Sequence, residues 1–119
     1  MGKKILVVDD NADSRQLEGL FLSGAGYEVL QAANAEDAIH VAGKAIPDLI
    51  LMDICMPGIN GLEAMYAIKE DSATEDIKIV ALTALADRGK MMTAGCDGYI
   101  PKPIINSRDF LDTVATFLS

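Results

Sequence analysis

The sequence is poor in cysteine and in positive charge, and it contains no long hydrophobic run. Its two cysteines, Cys55 and Cys96, have no metal-ligand spacing and no second pair beside them, which excludes a structural zinc site and a disulfide framework. Eighteen acidic residues against ten basic ones give a net charge of −8, which argues against nonspecific binding to nucleic acid or to an anionic membrane. No apolar run approaches the length of a membrane span and no signal peptide is recognisable, so we expect a reduced, cytoplasmic setting.

Four short apolar runs are present instead, and each ends on a polar residue that can carry chemistry. Runs of this length, rich in Val, Ile and Leu and separated by helical patterns, are typical of parallel strands with helical crossovers. Parallel strands all point the same way, so their ends meet along one edge, where open α/β sheets bind ligands. The residues at these ends are Asp9 with Asp10, Asp53, Thr83 and Lys102.

The pattern predicts five successive strand–helix units that form one domain over 1–119. With right-handed crossovers and helices on both faces, we expect a doubly wound α/β sheet. We expect no internal repeat, no linker and no attached output domain. The predicted strands cover about 3–8, 27–32, 48–52, 77–82 and 99–101.

Several residues mark where the predicted helices begin and end. Asn11 and Asn34 are predicted to cap the first two helices, Gly26 to end the first, and Asn106 or Ser107 to cap the last. The fourth helix must fit within about 86–94. The residues predicted to face the core from the helices are Leu17, Leu20, Phe21, Ala25, Ala35, Ala38, Ile39, Ala42, Leu62, Met65, Ile68, Phe110, Leu111, Val114, Phe117 and Leu118.

The charges expected at the sheet edge do not balance. Asp9, Asp10 and Asp53 would repel one another, and Lys102 offsets only one of the three negative charges, so either a carboxylate is protonated or a cation binds. Oxygen ligands without a cluster of His or Cys suit Mg²⁺. Thr83 can then donate a hydrogen bond to a phosphate oxygen, and a carboxylate in such a setting can attack phosphorus.

Uptake of a phosphoryl group is favoured over rapid hydrolysis because no general base is predicted near this edge. The only histidine, His40, falls in the second predicted helix, away from the edge. Spacing alone leaves open which of the three aspartates would be the nucleophile.

Four segments occur together in the order and at the spacing of a known family. They are Val7-Val8-Asp9-Asp10-Asn11, Asp48-Leu49-Ile50-Leu51-Met52-Asp53-Ile54-Cys55-Met56-Pro57-Gly58, Ala81-Leu82-Thr83-Ala84, and Gly98-Tyr99-Ile100-Pro101-Lys102-Pro103. This set resembles the receiver domain of two-component response regulators, and the similarity covers essentially the whole chain. The resemblance implies a flavodoxin-like fold with strand order 2-1-3-4-5, in a single-domain regulator like those of chemotaxis.

The resemblance also implies a role for each site residue. Asp53 would be the phosphoacceptor, and the Mg²⁺ ligands would be Asp10 and Asp53 directly, Asp9 mostly through water, and the carbonyl oxygen of Cys55. The residues that would hold the phosphoryl oxygens are Thr83, the amide of Ala84 and Lys102, and the residues that would switch are Thr83 and the aromatic Tyr99.

Partners and lifetime follow from the same resemblance. A histidine kinase or a histidine phosphotransfer protein would supply the phosphoryl group, and a downstream protein target would bind the switched form, with no direct contact to nucleic acid or membrane. The fourth helix, over 86–94, is nearly a turn shorter than is common in the family, which leaves less surface for a dimer and favours a monomer. Cys55 and Leu85 would flank the path of attacking water, so we expect slow self-dephosphorylation and no enzymatic turnover.

Two other functions stay open. An unphosphorylated pseudo-receiver would serve only as a docking module, although all five site positions carry competent residues. An aspartate-nucleophile phosphatase of the haloacid dehalogenase class would need Asp-x-Asp after its first strand and a cap domain, whereas this chain has adjacent Asp9 and Asp10 and no room for a cap. A mass gain of one phosphoryl group with a small phosphodonor would indicate a receiver and not a docking module. Turnover of a chromogenic phosphate ester would indicate the phosphatase.

Overall fold

The computed structural model describes residues 2–53, 61–83, 96–101 and 106–118. The strands are β1 (Lys4–Val8), β2 (Glu28–Ala32), β3 (Leu49–Asp53), β4 (Lys78–Thr83) and β5 (Gly98–Pro101). The helices are α1 (Ala12–Gly24), α2 (Ala35–Ala45), α3 (Gly61–Glu70) and α4 (Ser107–Leu118). The additional helix predicted over 86–94 lies outside the described residues.

The five strands form one parallel sheet in the order β2-β1-β3-β4-β5. This confirms the predicted flavodoxin-like α/β fold and its strand order. The central strand, β3, is buried along its whole length, as expected for a parallel strand covered on both faces. None of the described helices combines the length and the hydropathy that a membrane span needs.

Two hydrophobic clusters lie on opposite faces of this sheet, because successive side chains of a strand point to opposite sides. Leu6 and Val8 of β1 belong to the cluster covered by α2 and α3. Ile5 and Val7 of the same strand belong to the cluster covered by α1 and α4. The described helices therefore cover the sheet on both of its faces.

The predicted helix boundaries are largely confirmed by hydrogen bonds. The side-chain oxygens of Asn11 and Asn34 each accept the N–H three residues further on, at 3.0 and 2.8 Å. Asn106 accepts the N–H two residues further on at 2.9 Å, so it is the residue that caps α4. Gly26, just beyond the end of α1, has a positive φ of 97°, which glycine adopts without strain.

Four residues predicted to face the core are exposed. Leu20 and Leu17 are 69% and 49% exposed, and Ile39 in α2 is 39% exposed. Ala25, which follows α1, is exposed as well. These four predictions were wrong. The other predicted core residues whose side chains are described are buried or half-buried.

The orientation of α1 accounts for two of these four residues, Leu17 and Leu20. Its buried residues are Glu18, Gly19 and Leu22. A Cβ at Gly19 would lie 3.6 Å from side-chain atoms of Val29 and Gln31 in β2, which is ordinary van der Waals contact. This face of α1 therefore packs against β2, and the apolar residues at 17 and 20 lie on its exposed side.

Candidate functional site

Two aspartates, Asp9 and Asp53, lie side by side at the carboxyl edge of the sheet. Val8 of β1 pairs with Met52 of β3. Asp9 directly follows Val8, and Asp53 directly follows Met52, so the two aspartates are neighbours. Both strands run in the same direction, and this brings the two aspartates to one edge as the apolar runs predict.

Asp10 completes an acidic cluster with these two residues. Each of Asp9, Asp10 and Asp53 places a carboxylate oxygen within 4.8 Å of those of the other two. Asp9 and Asp53 are buried, at 0% and 4% exposure, whereas Asp10 is exposed. The cluster thus has a closed inner side and a side that is open to solvent.

Asp9 is held by hydrogen bonds at both its backbone and its side chain. Its N–H donates to the carbonyl of Ala32 at 3.1 Å, extending the pairing of β1 with β2 by one residue. Its Oδ1 accepts the N–H of Asn11 at 2.9 Å. The turn that leads from β1 into α1 therefore fixes the direction of this carboxylate.

Arg15 also contacts this turn. Its Nη1 donates to the carbonyl oxygen of Asp9 at 2.7 Å, and its Nε donates to Oε1 of Gln31 at 3.1 Å. Arg15 was not among the site residues predicted from the sequence. One signal in the sequence was its position near the start of α1. A cation is unfavourable there because of the helix dipole, which suggests that Arg15 has partners elsewhere.

The acidic cluster fits a magnesium ion. Mg²⁺ binds oxygen ligands octahedrally at about 2.0–2.1 Å, so the oxygens around it are separated by about 3–4 Å. The three carboxylates lie within 4.8 Å of one another, close to this separation, and supply only hard oxygen donors. Two of the three are buried, which strengthens their repulsion when no cation is present.

The other predicted site residues are described in part. Thr83 ends β4 and pairs with Pro101 of β5, so its backbone lies on the same edge as Asp53. Tyr99 pairs with Ala81 and is half-buried, packed against the cluster under α2 and α3. Three predicted site residues lie outside the described residues, namely Cys55, Ala84 and Lys102.

Cys96 and His40 lie away from the acidic cluster and have ordinary structural roles. Cys96 precedes β5 and is buried, as expected for a small apolar residue, and burial raises the pKa of its thiol. His40 is exposed on α2, as predicted. Among the described residues these two therefore add nothing to the acidic site.

A flavodoxin-like sheet with three aspartates at its carboxyl edge defines a class of signalling domain. The chain belongs to the response regulator receiver domain family, whose model matches residues 5–115. Among its relatives is the polar-differentiation response regulator DivK of Brucella anthropi, which is 36% identical over 121 residues. That alignment covers 99% of this chain and 98% of DivK.

Solved structures agree with this assignment. The chemotaxis response regulator CheY4 of Vibrio cholerae is 32% identical with a TM-score of 0.92, and the match covers 99% of this chain and all of that one. The receiver domain of the sensor histidine kinase PA1611 of Pseudomonas aeruginosa is 28% identical with a TM-score of 0.90, over 99% and 98% of the two chains. That structure holds a magnesium ion in its active-site cleft.

Membership of this family establishes the general role of the chain. It is a module of two-component signalling rather than a classical enzyme. A receiver domain implies a histidine kinase as its partner.

Proposed function

We propose that this chain accepts a phosphoryl group from a phosphohistidine onto Asp53 in a Mg²⁺-dependent reaction and thereby changes its binding to a protein target. One observation carries the proposal. The buried carboxylate of Asp53 lies within 4.8 Å of those of Asp9 and Asp10, at the carboxyl edge of a receiver-family sheet.

Asp53 is assigned as the nucleophile because the resemblance to receiver domains implies it. It ends β3, the central strand, and pairs with Leu82 of β4, so its backbone is anchored in the sheet. In the proposed reaction an oxygen of Asp53 attacks phosphorus and the P–N bond breaks. The electron pair stays on the imidazole nitrogen, and the product is an acyl phosphate.

Asp9 and Asp10 would work with Asp53 as the metal-binding group. Asp10 and Asp53 would coordinate directly and Asp9 mostly through water, with the carbonyl of Cys55 as a further ligand. When bound, Mg²⁺ neutralises charge on the oxygens around phosphorus. The magnesium ion in the PA1611 receiver supports this assignment.

The phosphoryl oxygens would be held by residues from the neighbouring strand ends. Thr83 would donate from its hydroxyl, Ala84 from its amide, and Lys102 would supply a positive charge. Movement of Thr83 toward the phosphoryl group would let the half-buried Tyr99 turn inward and change the surface that the target reads.

The proposed partners are a histidine kinase or a histidine phosphotransfer protein upstream and a protein target downstream. We propose that the chain acts as one receiver domain over 1–119, as a monomer in the cytoplasm. Its net charge of −8 supports a protein target over nucleic acid or an anionic membrane.

Intact mass tests the chemistry. The chain is incubated with acetyl phosphate and Mg²⁺, and we expect the wild type to gain the mass of one phosphoryl group, which is lost when EDTA replaces Mg²⁺. Asp53→Asn should gain none, whereas Asp112→Asn, a matched change on the exposed side of α4, should behave as the wild type. Phosphorylation of Asp53→Asn at the wild-type rate would refute the assignment, and an unmodified wild type would favour the docking module.

A further inference from the structure

We propose that Arg15 is a positioning residue for the metal site and that it acts through the backbone of Asp9. This inference rests on the proposed function, because it concerns the Mg²⁺ affinity of the same aspartates. Arg15 is not itself a metal ligand, since a guanidinium has donors only.

The guanidinium of Arg15 joins three parts of the chain. From α1 it reaches the carbonyl of Asp9 at 2.7 Å and the side chain of Gln31 in β2 at 3.1 Å. The backbone of Gln31 is held in the sheet, where it pairs with Val7 of β1. The donors of a guanidinium have a rigid planar arrangement, so the bond to Gln31 orients the donor that reaches Asp9.

Holding the carbonyl of Asp9 constrains both neighbouring carboxylates. This carbonyl belongs to the planar peptide unit that joins Asp9 to Asp10, so fixing its oxygen fixes the tilt of that unit. The N–H of Asp9 is held by Ala32, and its carboxylate by the N–H of Asn11. The bond from Arg15 therefore adds a constraint on the direction in which Asp10 leaves the backbone.

The charge of Arg15 should weaken Mg²⁺ binding, whereas its positioning of the ligands should strengthen it. The two effects can therefore be separated by experiment. A fixed cation near the aspartates repels Mg²⁺, so a purely electrostatic role predicts tighter Mg²⁺ binding when Arg15 is removed. A positioning role predicts weaker binding when the geometry is lost and the charge is kept. Arg15→Lys keeps the charge and loses the planar pair of donors, and Gln31→Ala keeps Arg15 and removes its anchor.

Isothermal titration of the metal-free chain with Mg²⁺ measures the effect. Loss of an outer hydrogen bond that orients a metal ligand weakens affinity by about tenfold or more, and we expect about tenfold for Arg15→Lys. Gln31→Ala should lie between this variant and the wild type. Gln16→Ala removes a neighbouring glutamine side chain that is also exposed, and Arg108→Lys repeats the arginine change on α4, so both should match the wild type.

A second measurement needs no metal. In EDTA, the amide of Asn11, which donates to Asp9, should exchange its hydrogen faster in Arg15→Lys and in Gln31→Ala than in the wild type, while amides of β3 stay unchanged. Gln31 is exposed, so Gln31→Ala carries the test if Arg15→Lys does not fold.

Each outcome decides the matter. Wild-type or tighter Mg²⁺ affinity in both variants overturns the role of Arg15 and leaves the proposed function intact. A folded wild type with no measurable Mg²⁺ affinity contradicts the proposed function and, with it, this inference. Weaker affinity in both variants, with unchanged controls, supports it.

Discussion

Removing one negative charge from the acidic cluster should stabilise the metal-free fold. Asp9 and Asp53 are buried, and their carboxylate oxygens lie within 4.8 Å of each other. Two unit charges at that separation repel by about 3.5 kcal/mol at an effective dielectric constant of 20. Asn has the shape of Asp without the charge, but it also loses favourable contacts of the carboxylate. We therefore expect Asp53→Asn to raise the free energy of unfolding in EDTA by about 1–3 kcal/mol.

The exposed member of the cluster provides a graded comparison. Asp10 faces solvent, so its repulsion with the other two aspartates is screened. We expect Asp10→Asn to raise the free energy of unfolding by less than about 1 kcal/mol. This gain should shrink in 1 M salt, where the Debye length falls to about 3 Å, while the gain from the buried Asp53 should persist.

Urea denaturation in EDTA and in excess Mg²⁺ measures both effects. In Mg²⁺ the wild type should gain stability because the native state binds the ion, whereas Asp53→Asn should gain much less, so the difference between them narrows. Asp112→Asn on α4 serves as the control and should change neither value. If Asp53→Asn is less stable than the wild type in EDTA, with an unchanged m-value, the repulsion argument is wrong.

Three further predictions concern other parts of the chain. Ile46 is half-exposed and has φ 46°, in the left-handed region that Asn tolerates better than Ala. In urea denaturation, Ile46→Asn should therefore have a free energy of unfolding about 1 kcal/mol higher than Ile46→Ala. Equal values would contradict this. Burial raises the thiol pKa of Cys96, so the native state keeps this proton to higher pH than the unfolded state. The stability of the wild type relative to Cys96→Ala should therefore fall as pH rises above about 8.5. Leu85→Glu should shorten the lifetime of the phosphorylated chain, because a carboxylate orients water better than an alkyl chain. The measurement is phosphate release after the donor is removed, and an unchanged half-life would count against this prediction.

The sheet and the acidic edge were predictable because their signals are local. An apolar run such as 4–8 identifies a buried strand, and the parallel direction of the strands then brings Asp9 and Asp53 together without knowledge of any long-range contact. The asparagine caps are equally local, since each is satisfied within three residues. For these features, elementary strand and helix geometry is sufficient.

The features that the sequence did not predict depend on contacts between elements. The outward position of Leu17 and Leu20 follows from which face of α1 packs against β2, and that choice is not set by the periodicity of α1 itself. The role of Arg15 depends on a bond to a backbone carbonyl and on a glutamine sixteen positions away. A hydrogen bond of this kind can be located only when the packing of α1 against β2 is known.

The acidic cluster connects stability to function through a single electrostatic energy. Repulsion among Asp9, Asp10 and Asp53 would lower the stability of the metal-free fold and would also favour the binding of a divalent cation there. Among variants that keep the positions of the carboxylates, greater stability in EDTA should therefore accompany weaker Mg²⁺ affinity. Arg15→Lys should depart from this relation, because it changes the position of the ligands and leaves the net charge unchanged. The comparison of the two kinds of variant separates the charge of the site from its geometry.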